Sequence, residues 1–540
     1  MTNQCPHWPQ LRGRLMLDSK QVQTNQAQLE QAQAKTARSI QPLLLEFGIQ
    51  TADITIESLV LDSRDVAIHS AFIALKGHVR DGRDFIPQAI SLGAKVIIAE
   101  CETQAEHGHT SMREQSLIIS FYDLSAQLSA LAAAFYDYPA QSLQVIGVTG
   151  TNGKTSTVQL TSQLAALLNK RAASIGTLGS GVIDQAGTCA SHNDTANTTP
   201  DAISMHKLMA QFAQDQVKQV ALEVSSHALV QQRVAALKTD VAVFTNLTRD
   251  HLDYHGTMQA YAQAKRELLK QPELRYAVLN GNEIESKHWL AQLPSTVTPV
   301  IYGIADESLM LTDSEHQCLA KDVVYSNQGC RFRLLSSWGE CEIQLSLLGR
   351  FNIFNALAAI ASQLCLGESL NDIAKLAHLL VPVTGRMERF GGDNSPTVVV
   401  DYAHTPDALK QALAALRQHS EGRLLVIFGC GGDRDKGKRS LMGEVAETYA
   451  DEVIITNDNS RSEEPTAIAD DILSGCVHPD KIQVVLDRKA AIAQAVSNAT
   501  ANDIILVAGK GHEDYQIIGN QKVAYDEREY VQQMFERNIT

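Results

Sequence analysis

No long apolar run occurs in the 540-residue sequence, and no hydrophobic stretch approaches the roughly 18 residues that a membrane-spanning helix needs. The amino-terminal residues also lack the apolar segment of a secretory signal and are instead rich in Gln and Ala. Residues 1–39 are therefore interpreted as an extension without an assigned function, and we expect no membrane partner.

Paired cysteines and excess positive charge are missing as well. The nine cysteines are scattered, odd in number and free of any C-x-x-C pair, which favours reduced thiols and a cytoplasmic location over a metal–thiolate site. The 46 Lys and Arg residues stand against 61 Asp and Glu, a formal net charge of −15, which argues against an extended nucleic-acid surface. Small anionic substrates remain compatible with this charge, because a few local cations can bind them.

Short strand-like runs alternate with helical patterns along the chain, which predicts an α/β fold with mostly parallel sheets. The stretch "YPAQS", with Pro139 as its second residue, interrupts this alternation. We predict a smaller N-terminal α/β domain at 40–140, a central P-loop-type ATPase domain at 141–381, and a C-terminal doubly wound, Rossmann-like domain at 382–540.

Five apolar runs of the predicted C-terminal domain end in polar or glycine residues: "TVVVDYAH", "RLLVIFGC", "DEVIITND", "IQVVLD" and "DIILVAGKG". Ligands of doubly wound sheets bind beyond the carboxyl ends of the strands. The candidate ligand-binding positions at these ends are Asp401, His404, Gly431, Asp458, Asn459 and Lys510.

The stretch "IGVTGTNGKTSTVQL" is close to the phosphate-binding pattern G-x-x-x-x-G-K-[ST], but Val148 replaces the first glycine. A strand, a glycine-rich turn and a helix place backbone N–H groups and a helix N-terminus against an anion. Lys154 is suited to bridge the outer phosphates, and the Thr155 hydroxyl is suited to bind Mg²⁺. The alternative is a strand–helix turn with an unrelated lysine.

Acidic and imidazole side chains follow two neighbouring predicted strands. Glu223 ends the run "QVALEVSS", and His251 and Asp253 follow "VAVFTNL". Such groups at adjacent strand ends can share a divalent ion, whereas any one of them alone is more often a hydrogen-bonded polar residue.

These motifs in combination resemble the Mur ligase and folylpolyglutamate synthase superfamily, which forms amide bonds with ATP. The resemblance runs from about Leu61 to Tyr515 and rests on these segments: "GTNGKT", "ALEVSSHALVQQR", "FTNLTRDHLDYHGT", "YAQAKRELL", "GRFNIFNALAA", "GRMERF", "DYAHTPDAL" and "GCGGDRDKGKR". It implies ATP and Mg²⁺ as cofactors.

The resemblance also implies roles for individual residues. Those expected at ATP are Gly150, Thr151, Asn152, Gly153, Lys154, Thr155, Ser156, Asn352, Asp401 and His404. Those expected in catalysis are Lys154, Glu223, His251 and Lys265, with Mg²⁺ bound by Thr155, Glu223, His251 and Lys265. In the family the lysine matched by Lys265 is carbamylated, which converts a cation into an anionic metal ligand.

The stretch "NDNSRSEEP" resembles the D-N-P-R motif of family members that add meso-diaminopimelate, with Ser460 in place of proline. An arginine can bind the second carboxylate of that amino acid with two parallel hydrogen bonds, and lysine lacks this carboxylate. The amino-acid-binding residues implied are Arg434, Asp458, Asn459, Ser460, Arg461, Gly509 and Glu513.

The stretches "LVLDSRDV" and "NTTPD" resemble the parts of this branch that bind a UDP-sugar peptide. The residues implied are Leu61, Ser63, His78, Asn197, Thr198, Thr199, Ser225, Gln231 and Arg233. The expected substrates are UDP-MurNAc-L-Ala-D-Glu and meso-diaminopimelate, and we expect a monomer that binds no nucleic acid.

Three alternatives remain open on sequence grounds. A folylpolyglutamate synthase is disfavoured by the "LDSR" and "KGH" segments, and a lysine-adding ligase is disfavoured by Arg461. A P-loop ATPase or nucleotide switch that binds a partner protein would have the same glycine loop but would release phosphate without an amino acid.

Overall fold

The computed structural model describes residues 37–77, 80–187, 197–311, 315–392 and 394–537. The chain divides into two compact units, the first ending at Tyr138 and the second beginning at Pro139. None of the helices in these ranges is both long and apolar enough to cross a membrane.

The first unit contains a five-stranded sheet of order β3-β4-β5-β7-β6, parallel except at the β6 edge. Its strands are β1 (Arg38–Ser39), β2 (Thr55–Ile56), β3 (Ser58–Val60), β4 (Ser70–Ala74), β5 (Val96–Cys101), β6 (Thr110–Arg113) and β7 (Ser116–Tyr122). Its helices are α1 (Ile40–Leu45), α2 (Ile86–Ser91) and α3 (Leu124–Phe135). β1 and β2 pair separately as a short antiparallel ribbon.

The second unit begins with a ten-stranded sheet of order β10-β9-β11-β8-β12-β13-β14-β15-β16-β17. Its strands are β8 (Gln144–Thr149), β9 (Ala172–Gly176), β10 (Gly179–Ile183), β11 (Gln219–Glu223), β12 (Val241–Phe244), β13 (Tyr276–Asn280), β14 (Thr298–Ile304), β15 (His316–Ser326), β16 (Gly329–Ser336) and β17 (Gly339–Leu345). The strands from β9 to β15 are parallel in this order, and β10, β16 and β17 are antiparallel to their neighbours.

Helices cover both faces of this sheet, because successive strand residues point to opposite sides and both sets are apolar. The helices are α4 (Lys154–Leu167), α5 (Ala202–Gln214), α6 (Ser226–Val230), α7 (Leu252–His255), α8 (Met258–Arg266), α9 (Ser286–Ala291), α10 (Arg350–Cys365) and α11 (Leu370–Leu376). Ile146 of β8 packs on the face covered by α4 and α10, and Val145 packs with Met209 of α5 on the other face.

A second sheet follows, of order β18-β19-β23-β20-β21-β22, parallel except at the β18 edge. Its strands, with a separate hairpin at the end, are β18 (Glu388–Gly391), β19 (Thr397–Asp401), β20 (Leu424–Phe428), β21 (Glu452–Ile455), β22 (Gln483–Val484), β23 (Ile504–Ala508), β24 (Tyr515–Ile518) and β25 (Gln521–Ala524). The helices are α12 (Pro406–Arg417), α13 (Gly437–Tyr449), α14 (Pro465–Leu473), α15 (Arg488–Asn498) and α16 (Glu527–Arg537).

The predicted α/β architecture with mostly parallel sheets is confirmed, and two details differ from the sequence reading. The run "IQVVLD" forms only the two-residue strand β22, which is exposed at the sheet edge. The strands β15, β16 and β17, which pair with one another in antiparallel fashion, were not predicted. The alternation of buried and exposed residues in β16 is typical of an antiparallel strand. The domain boundary after residue 381 stays a prediction.

Candidate active site

The glycine loop joins β8 to α4 through a backbone that only glycine accepts. Gly150 has a φ of 151° and Gly153 a φ of 83°. A Cβ atom on Gly150 would lie 1.8 Å from Oγ1 of Thr245, and one on Gly153 would lie 2.6 Å from Oδ1 of Asn355. Because α4 begins at Lys154, its free N–H groups and its dipole face this loop, the arrangement that binds phosphate.

The segment after β12 holds the glycine loop in place. The backbone N–H of Asn152 donates to Oδ1 of Asn246 at 2.8 Å. The Thr245 hydroxyl donates to the carbonyl of Asn152 at 2.6 Å, and the N–H of Thr151 donates to the carbonyl of Asn246 at 2.9 Å. Sequence reasoning did not select Thr245 and Asn246, and their position directly after a buried strand was the available signal.

Two lysine ammonium groups converge on one carbonyl of the loop. Nζ of Lys154 donates to the carbonyls of Gly150 at 2.9 Å and Thr151 at 2.8 Å. Nζ of Lys265 donates to the same Gly150 carbonyl at 2.7 Å and lies 4.4 Å from the ring centroid of Tyr261. Within the part of the chain that the structure describes, neither amino group has a carboxylate partner.

Burial perturbs both lysines. Lys265 is fully buried, and burial together with the ammonium of Lys154 holds its pKa well below the usual value. Burial also lowers the pKa of Lys154, an effect that the carboxylates of Glu223 and Asp250 oppose. An anion bound beside the loop would therefore favour the charged form of Lys154.

Glu223, the last residue of β11, is the buried carboxylate of the site. Its Oε1 accepts hydrogen bonds from the Thr155 hydroxyl at 2.9 Å and from the N–H of Thr177 at 2.8 Å. Burial raises the pKa of Glu223, and the Thr177 N–H and the Lys154 ammonium oppose that rise. Thr177 was not predicted, because it lies in the turn between β9 and β10 and belongs to none of the recognised motifs.

His251 follows β12 on the outer side of the site. Its side chain is 46% exposed, and Nε2 lies 3.4 Å from Oδ2 of Asp250. The His251 ring makes edge contacts with His227 and with Tyr261, the ring over which Lys265 lies. His251 and Lys265, two of the residues expected to bind Mg²⁺, thus both contact the ring of Tyr261.

A cleft of about 720 Å³ extends from the glycine loop to the start of α10 and onto the second sheet of this unit. Lining residues that had been predicted for ATP or Mg²⁺ are Thr151, Asn152, Gly153, Lys154, Thr155, Ser156, Glu223, Asn352 and Asp401. Asn352 is held by its own helix end, because Nδ2 donates to the Leu348 carbonyl at 2.8 Å. The cleft therefore gathers most of the predicted nucleotide-binding residues.

Asp401 lines this cleft, but its carboxylate is engaged by the backbone. Oδ2 accepts the N–H of Met387 and Oδ1 accepts the N–H of Ala403, each at 2.8 Å. Burial raises the pKa of Asp401, and the Met387 N–H opposes that rise. Asp401 thereby fixes the segment "GRMERF" against the end of β19.

Arg386 and His404 both contact the ring of Tyr402. Arg386, which was not selected from the sequence, lines the cleft, with its guanidinium 4.8 Å from the ring centroid of Tyr402. The predicted residue His404 is exposed and lies outside the lining of the cleft, with Nδ1 2.8 Å from the Tyr402 carbonyl.

The residues predicted for the sugar peptide lie in neighbouring segments beside Glu223: Asn197, Thr198, Thr199, Ser225, Gln231 and Arg233. Nη1 of Arg233 donates to the Thr199 carbonyl at 2.7 Å, and Nε donates to Oε1 of Gln231 at 2.9 Å. The N–H of Ser225 donates to Oγ1 of Thr199 at 3.0 Å. Arg233 thus has no carboxylate partner among the hydrogen bonds recorded for the described residues.

In the first unit, Leu61 is half-buried and Ser63 is buried, its hydroxyl donating to Oε1 of Gln88 at 2.9 Å. His78, the third residue predicted for the UDP group there, lies outside the described residues.

A paired charge network occupies the carboxyl ends of β21 and β23. Lys510 is fully buried, and its Nζ donates to Oδ1 of Asn459 at 3.2 Å and to Oε2 of Glu513 at 3.0 Å. Nδ2 of Asn459 also donates to Glu513 at 3.0 Å, and Oδ1 of Asp458 lies 3.9 Å from the ammonium. Lys510 was recognised only as a strand-end residue, whereas the structure places it at the centre of the predicted amino-acid site.

Arg461 lies at the edge of this network in a left-handed backbone conformation, with a φ of 51°. Its Nη1 donates to the carbonyls of Gly432 at 2.8 Å and Asn459 at 3.3 Å. Ser460, which lies between Asn459 and Arg461 in the sequence, is buried. Gly509 is also closely packed, because a Cβ atom there would lie 2.7 Å from Oδ2 of Asp458.

Arg434 lies apart from this network. It is exposed, and its Nη1 lies 3.5 Å from the carbonyl of Asp433 in its own loop. Arg434 is thus the most exposed of the residues predicted to bind the amino acid.

The site is typical of α/β enzymes that bind and transfer phosphate groups. It combines a parallel sheet, a glycine loop with a lysine that has no carboxylate partner among the described residues, a buried carboxylate and a second nearby sheet. Three family profiles match the chain: Mur ligase family, catalytic domain (55–136), Mur ligase middle domain (148–363) and Mur ligase, glutamate ligase domain (385–511).

The chain is 45% identical over 486 residues to the UDP-N-acetylmuramoyl-L-alanyl-D-glutamate--2,6-diaminopimelate ligase of Vibrio vulnificus (strain YJ016), covering 90% of this chain and 95% of the relative. A solved structure with the same name matches with a TM-score of 0.72 and 32% identity, over 93% of this chain and all of the other. The chain belongs to the Mur ligase family, and the predictions of this family and of a ligase are confirmed.

More distant structures share the fold. The MurF ligase of Thermotoga maritima, solved with ADP, matches with a TM-score of 0.53 and 21% identity, over 89% of this chain and 97% of that one. The folylpolyglutamate synthase of Mycobacterium tuberculosis, also solved with ADP, matches with a TM-score of 0.55 and 19% identity, over 72% of this chain and 92% of that one.

Proposed function

We propose that the protein is an ATP-dependent ligase that joins meso-2,6-diaminopimelate to UDP-MurNAc-L-Ala-D-Glu through an acyl phosphate, a step of peptidoglycan precursor synthesis. The observation that carries this proposal is the glycine loop with Lys154, whose ammonium donates to the carbonyls of Gly150 and Thr151 without a carboxylate partner among the described residues. Lys154 lines a cleft that also reaches Arg386 and Asp401, beside the second sheet of this unit.

Close relatives support the choice of substrates. The name of the Vibrio vulnificus relative specifies 2,6-diaminopimelate and UDP-N-acetylmuramoyl-L-alanyl-D-glutamate, and its identity with this chain extends over 90% of the sequence. The ADP in two more distant members supports the use of ATP.

The first chemical step joins two anions, so its barrier is largely electrostatic. A carboxylate oxygen of the D-glutamyl residue attacks the γ-phosphorus of ATP, the bond from that phosphorus to ADP breaks, and an acyl phosphate forms. Lys154 and the N–H groups at the start of α4 stabilise the charge on the transferred group. Arg233, whose present partners are neutral oxygens, is the cation available to the anionic sugar peptide.

The residues beside the loop fit a Mg²⁺ ion. Thr155 and Glu223 offer a hydroxyl and a carboxylate 2.9 Å apart, and oxygen donors of this kind are those that Mg²⁺ prefers. No group of three His, Cys, Asp or Glu in the described ranges could hold a metal alone. That suits Mg²⁺, which keeps several waters and is completed by substrate phosphates. When bound, the ion would neutralise phosphate charge.

We further propose that Lys265 is carbamylated and, with His251, holds a second Mg²⁺. Burial and the ammonium of Lys154 lower the pKa of Lys265, which favours its neutral amine compared with an exposed lysine. The neutral amine adds to carbon dioxide, forming an N–C bond and releasing a proton, and the product is an anion. That charge reversal relieves the repulsion between Lys265 and Lys154.

The second step forms the amide. An amine of meso-diaminopimelate attacks the acyl carbon, a tetrahedral intermediate forms, and its collapse releases phosphate. Arg461 donates at present only to carbonyls, so its guanidinium can bind the far carboxylate of the amino acid with two hydrogen bonds. Glu513, whose carboxylate accepts from Nδ2 of Asn459, supplies an acceptor for the far ammonium.

Phosphate release with ATP, Mg²⁺ and UDP-MurNAc-L-Ala-D-Glu tests the proposal in three parallel arms, with meso-diaminopimelate, with L-lysine and with no amino acid. Release that requires diaminopimelate is the expected result. Release with lysine would retain the ligase but contradict the role of Arg461. Release without an amino acid would indicate an ATPase and overturn the proposal.

The remaining predictions concern properties that the comparisons leave open. They are a monomeric state, a cytoplasmic location, and contacts of Leu61, Ser63 and His78 with the UDP group. Light scattering of the protein without cross-linking tests the monomeric state. A mass near 58.9 kDa, that of one chain, is expected.

A further inference from the structure

A buried ion pair lies beneath the amino-acid end of the second sheet of unit two, and none of the steps above uses it. Nε of Arg488 donates to Oε2 of Glu527 at 2.6 Å, and Nη2 donates to Oε1 at 3.3 Å. The two side chains are 1% and 0% exposed. Burying two charges is costly, and apolar side chains of similar volume often stabilise a fold as well or better. The pair therefore calls for a reason other than stability.

The same guanidinium also joins two strand ends. Nη2 of Arg488 donates to the carbonyl of Ala508, the last residue of β23, at 2.9 Å. Nη1 donates to the carbonyl of Asn457, just beyond β21, at 3.3 Å. In the sheet β20 lies between β21 and β23, so no ladder hydrogen bond joins these two strands. One planar group thus connects ends that the sheet itself leaves separate.

Both tethered carbonyls come directly before the segments of the amino-acid site. Asn457 precedes 458–461, and Ala508 precedes 509–513. The two segments meet in the hydrogen bond from Asn459 to Glu513 and in the contacts of the Lys510 ammonium with both. Each of the two segments therefore begins next to a carbonyl that the Arg488 guanidinium binds.

Glu527 brings the last helix into this arrangement. It is the first residue of α16, and just before it the N–H of Tyr525 donates to the carbonyl of Asp514 at 2.8 Å. The carboxylate accepts two N–H groups of Arg488 and so orients the remaining donors toward the strand ends. A lysine could not replace this planar fork, since it presents a single point charge.

We propose that Arg488 is a positioning residue for the amino-acid site, and that with Glu527 it sets the spacing of segments 458–461 and 509–513 and thereby the affinity for the amino-acid substrate. This inference rests on the proposed function, because it takes these two segments as the place where the amino acid binds.

Replacing both partners by apolar residues separates positioning from stability. The double variant Arg488→Met, Glu527→Leu removes both charges at similar volume, so loss of the ion pair itself should cost little stability. The carbonyls of Asn457 and Ala508 lose a donor, so the thermal midpoint should fall modestly while the protein remains folded. Its KM for meso-diaminopimelate should rise roughly tenfold or more, because small misplacements of binding groups have effects of this size. The KM values for ATP and for the UDP-linked substrate should stay within about twofold, as both bind elsewhere in this account.

Two further variants complete the design. Arg488→Lys keeps a cation for Glu527 but cannot reach both carbonyls, so it should fold and show the same selective rise in KM for diaminopimelate. Arg417→Met is the matched control. It removes an exposed salt bridge with Asp451, which lies at the opposite, amino-terminal ends of the strands of the same sheet. It should leave all three KM values unchanged.

The outcomes distinguish the inference from the proposed function. A parent protein that shows no phosphate release with diaminopimelate would defeat the proposed function. An active parent and a folded double variant with an unchanged KM for diaminopimelate would overturn the positioning role. If the double variant does not fold, Arg488→Lys decides: a selective rise supports the role, and an equal change in all three KM values, or none, contradicts it.

Discussion

The glycine loop and the amino-acid network both lie at the carboxyl ends of parallel strands, but their charges are arranged in opposite ways. Beside the loop, Lys154 and Lys265 donate to backbone carbonyls, and neither has a carboxylate partner within the described ranges. At the other site, Lys510 is fully buried and already bonded to Glu513 and Asn459. We expect an anionic ligand to complete the first site, whereas Lys510 of the second site already has an acidic partner.

Arg461 refines this contrast. It belongs to the second site, yet it donates only to the carbonyls of Gly432 and Asn459. It is also the residue expected to bind the carboxylate that distinguishes diaminopimelate from lysine. We therefore propose that Lys154 and Arg461, which have no carboxylate partner in the described ranges, are the cations that receive an anion at each site, and that Lys510 maintains the shape around the second.

The largest effect is expected from removing the cation of the first site. Lys154→Met should lower kcat by about 10²- to 10³-fold, the range typical for loss of one group that stabilises transition-state charge. Phosphate release under saturating substrates measures this change. A thermal midpoint equal to that of the parent protein is the control, and a kcat within tenfold of the parent would contradict the role of Lys154.

Opposite effects on stability are expected from the two fully buried lysines. Lys510→Met leaves Glu513 and Asp458 without their cation and should lower the free energy of unfolding by about 2 kcal/mol. Lys265→Met removes a buried cation whose pKa is lowered by burial and by Lys154, so it should leave that free energy unchanged or raise it.

Denaturant unfolding of both variants without ligands measures this difference. Activity should nevertheless be lost in the Lys265 variant, since the site then lacks its proposed metal ligand. Equal destabilisation by the two substitutions would contradict the distinction between unpaired and paired cations.

A smaller and more selective effect is expected at Arg461. Arg461→Lys keeps the charge but loses the planar fork, which should raise the KM for meso-diaminopimelate roughly tenfold, equivalent to about 1.4 kcal/mol. The KM for ATP should not change. A variant that accepts L-lysine no better and diaminopimelate no worse than the parent protein would show that Arg461 has another role.

The smallest effect is expected at the position where the family motif has proline. Ser460→Pro should change the KM for diaminopimelate less than about twofold, and it should raise the free energy of unfolding by about 0.5 kcal/mol through a stiffer unfolded chain. Calorimetry and steady-state kinetics measure the two quantities. A marked loss of stability would indicate that the backbone at Ser460 cannot adopt the conformation of proline.

Local motifs account for what the sequence made predictable. The glycine loop, Lys154 and Thr155 occupy consecutive positions between a strand and a helix, so their geometry follows from one short segment. Resemblance to the family located Lys265 and Arg461, which periodicity alone would have assigned to solvated surfaces. The mostly parallel sheets followed from the alternation of strands and helices.

Contacts between distant segments account for what was missed. Thr177, Thr245 and Asn246 act across strands that are separated by many residues, and no local pattern indicates which strand ends will meet. Sheet edges were also hard to predict, because β22 has only two exposed residues and β15, β16 and β17 belong to none of the runs recognised as strands.

The most direct test of the account follows the oxygen atoms of the substrate. UDP-MurNAc-L-Ala-D-Glu labelled with ¹⁸O in the D-glutamyl carboxylates is incubated with ATP, Mg²⁺ and meso-diaminopimelate, and the released phosphate is examined by mass spectrometry. Transfer of one labelled oxygen to each phosphate is the predicted result, because the acyl phosphate forms by attack of that carboxylate. Phosphate without label would mean that water attacks the nucleotide, and it would contradict the ligase mechanism.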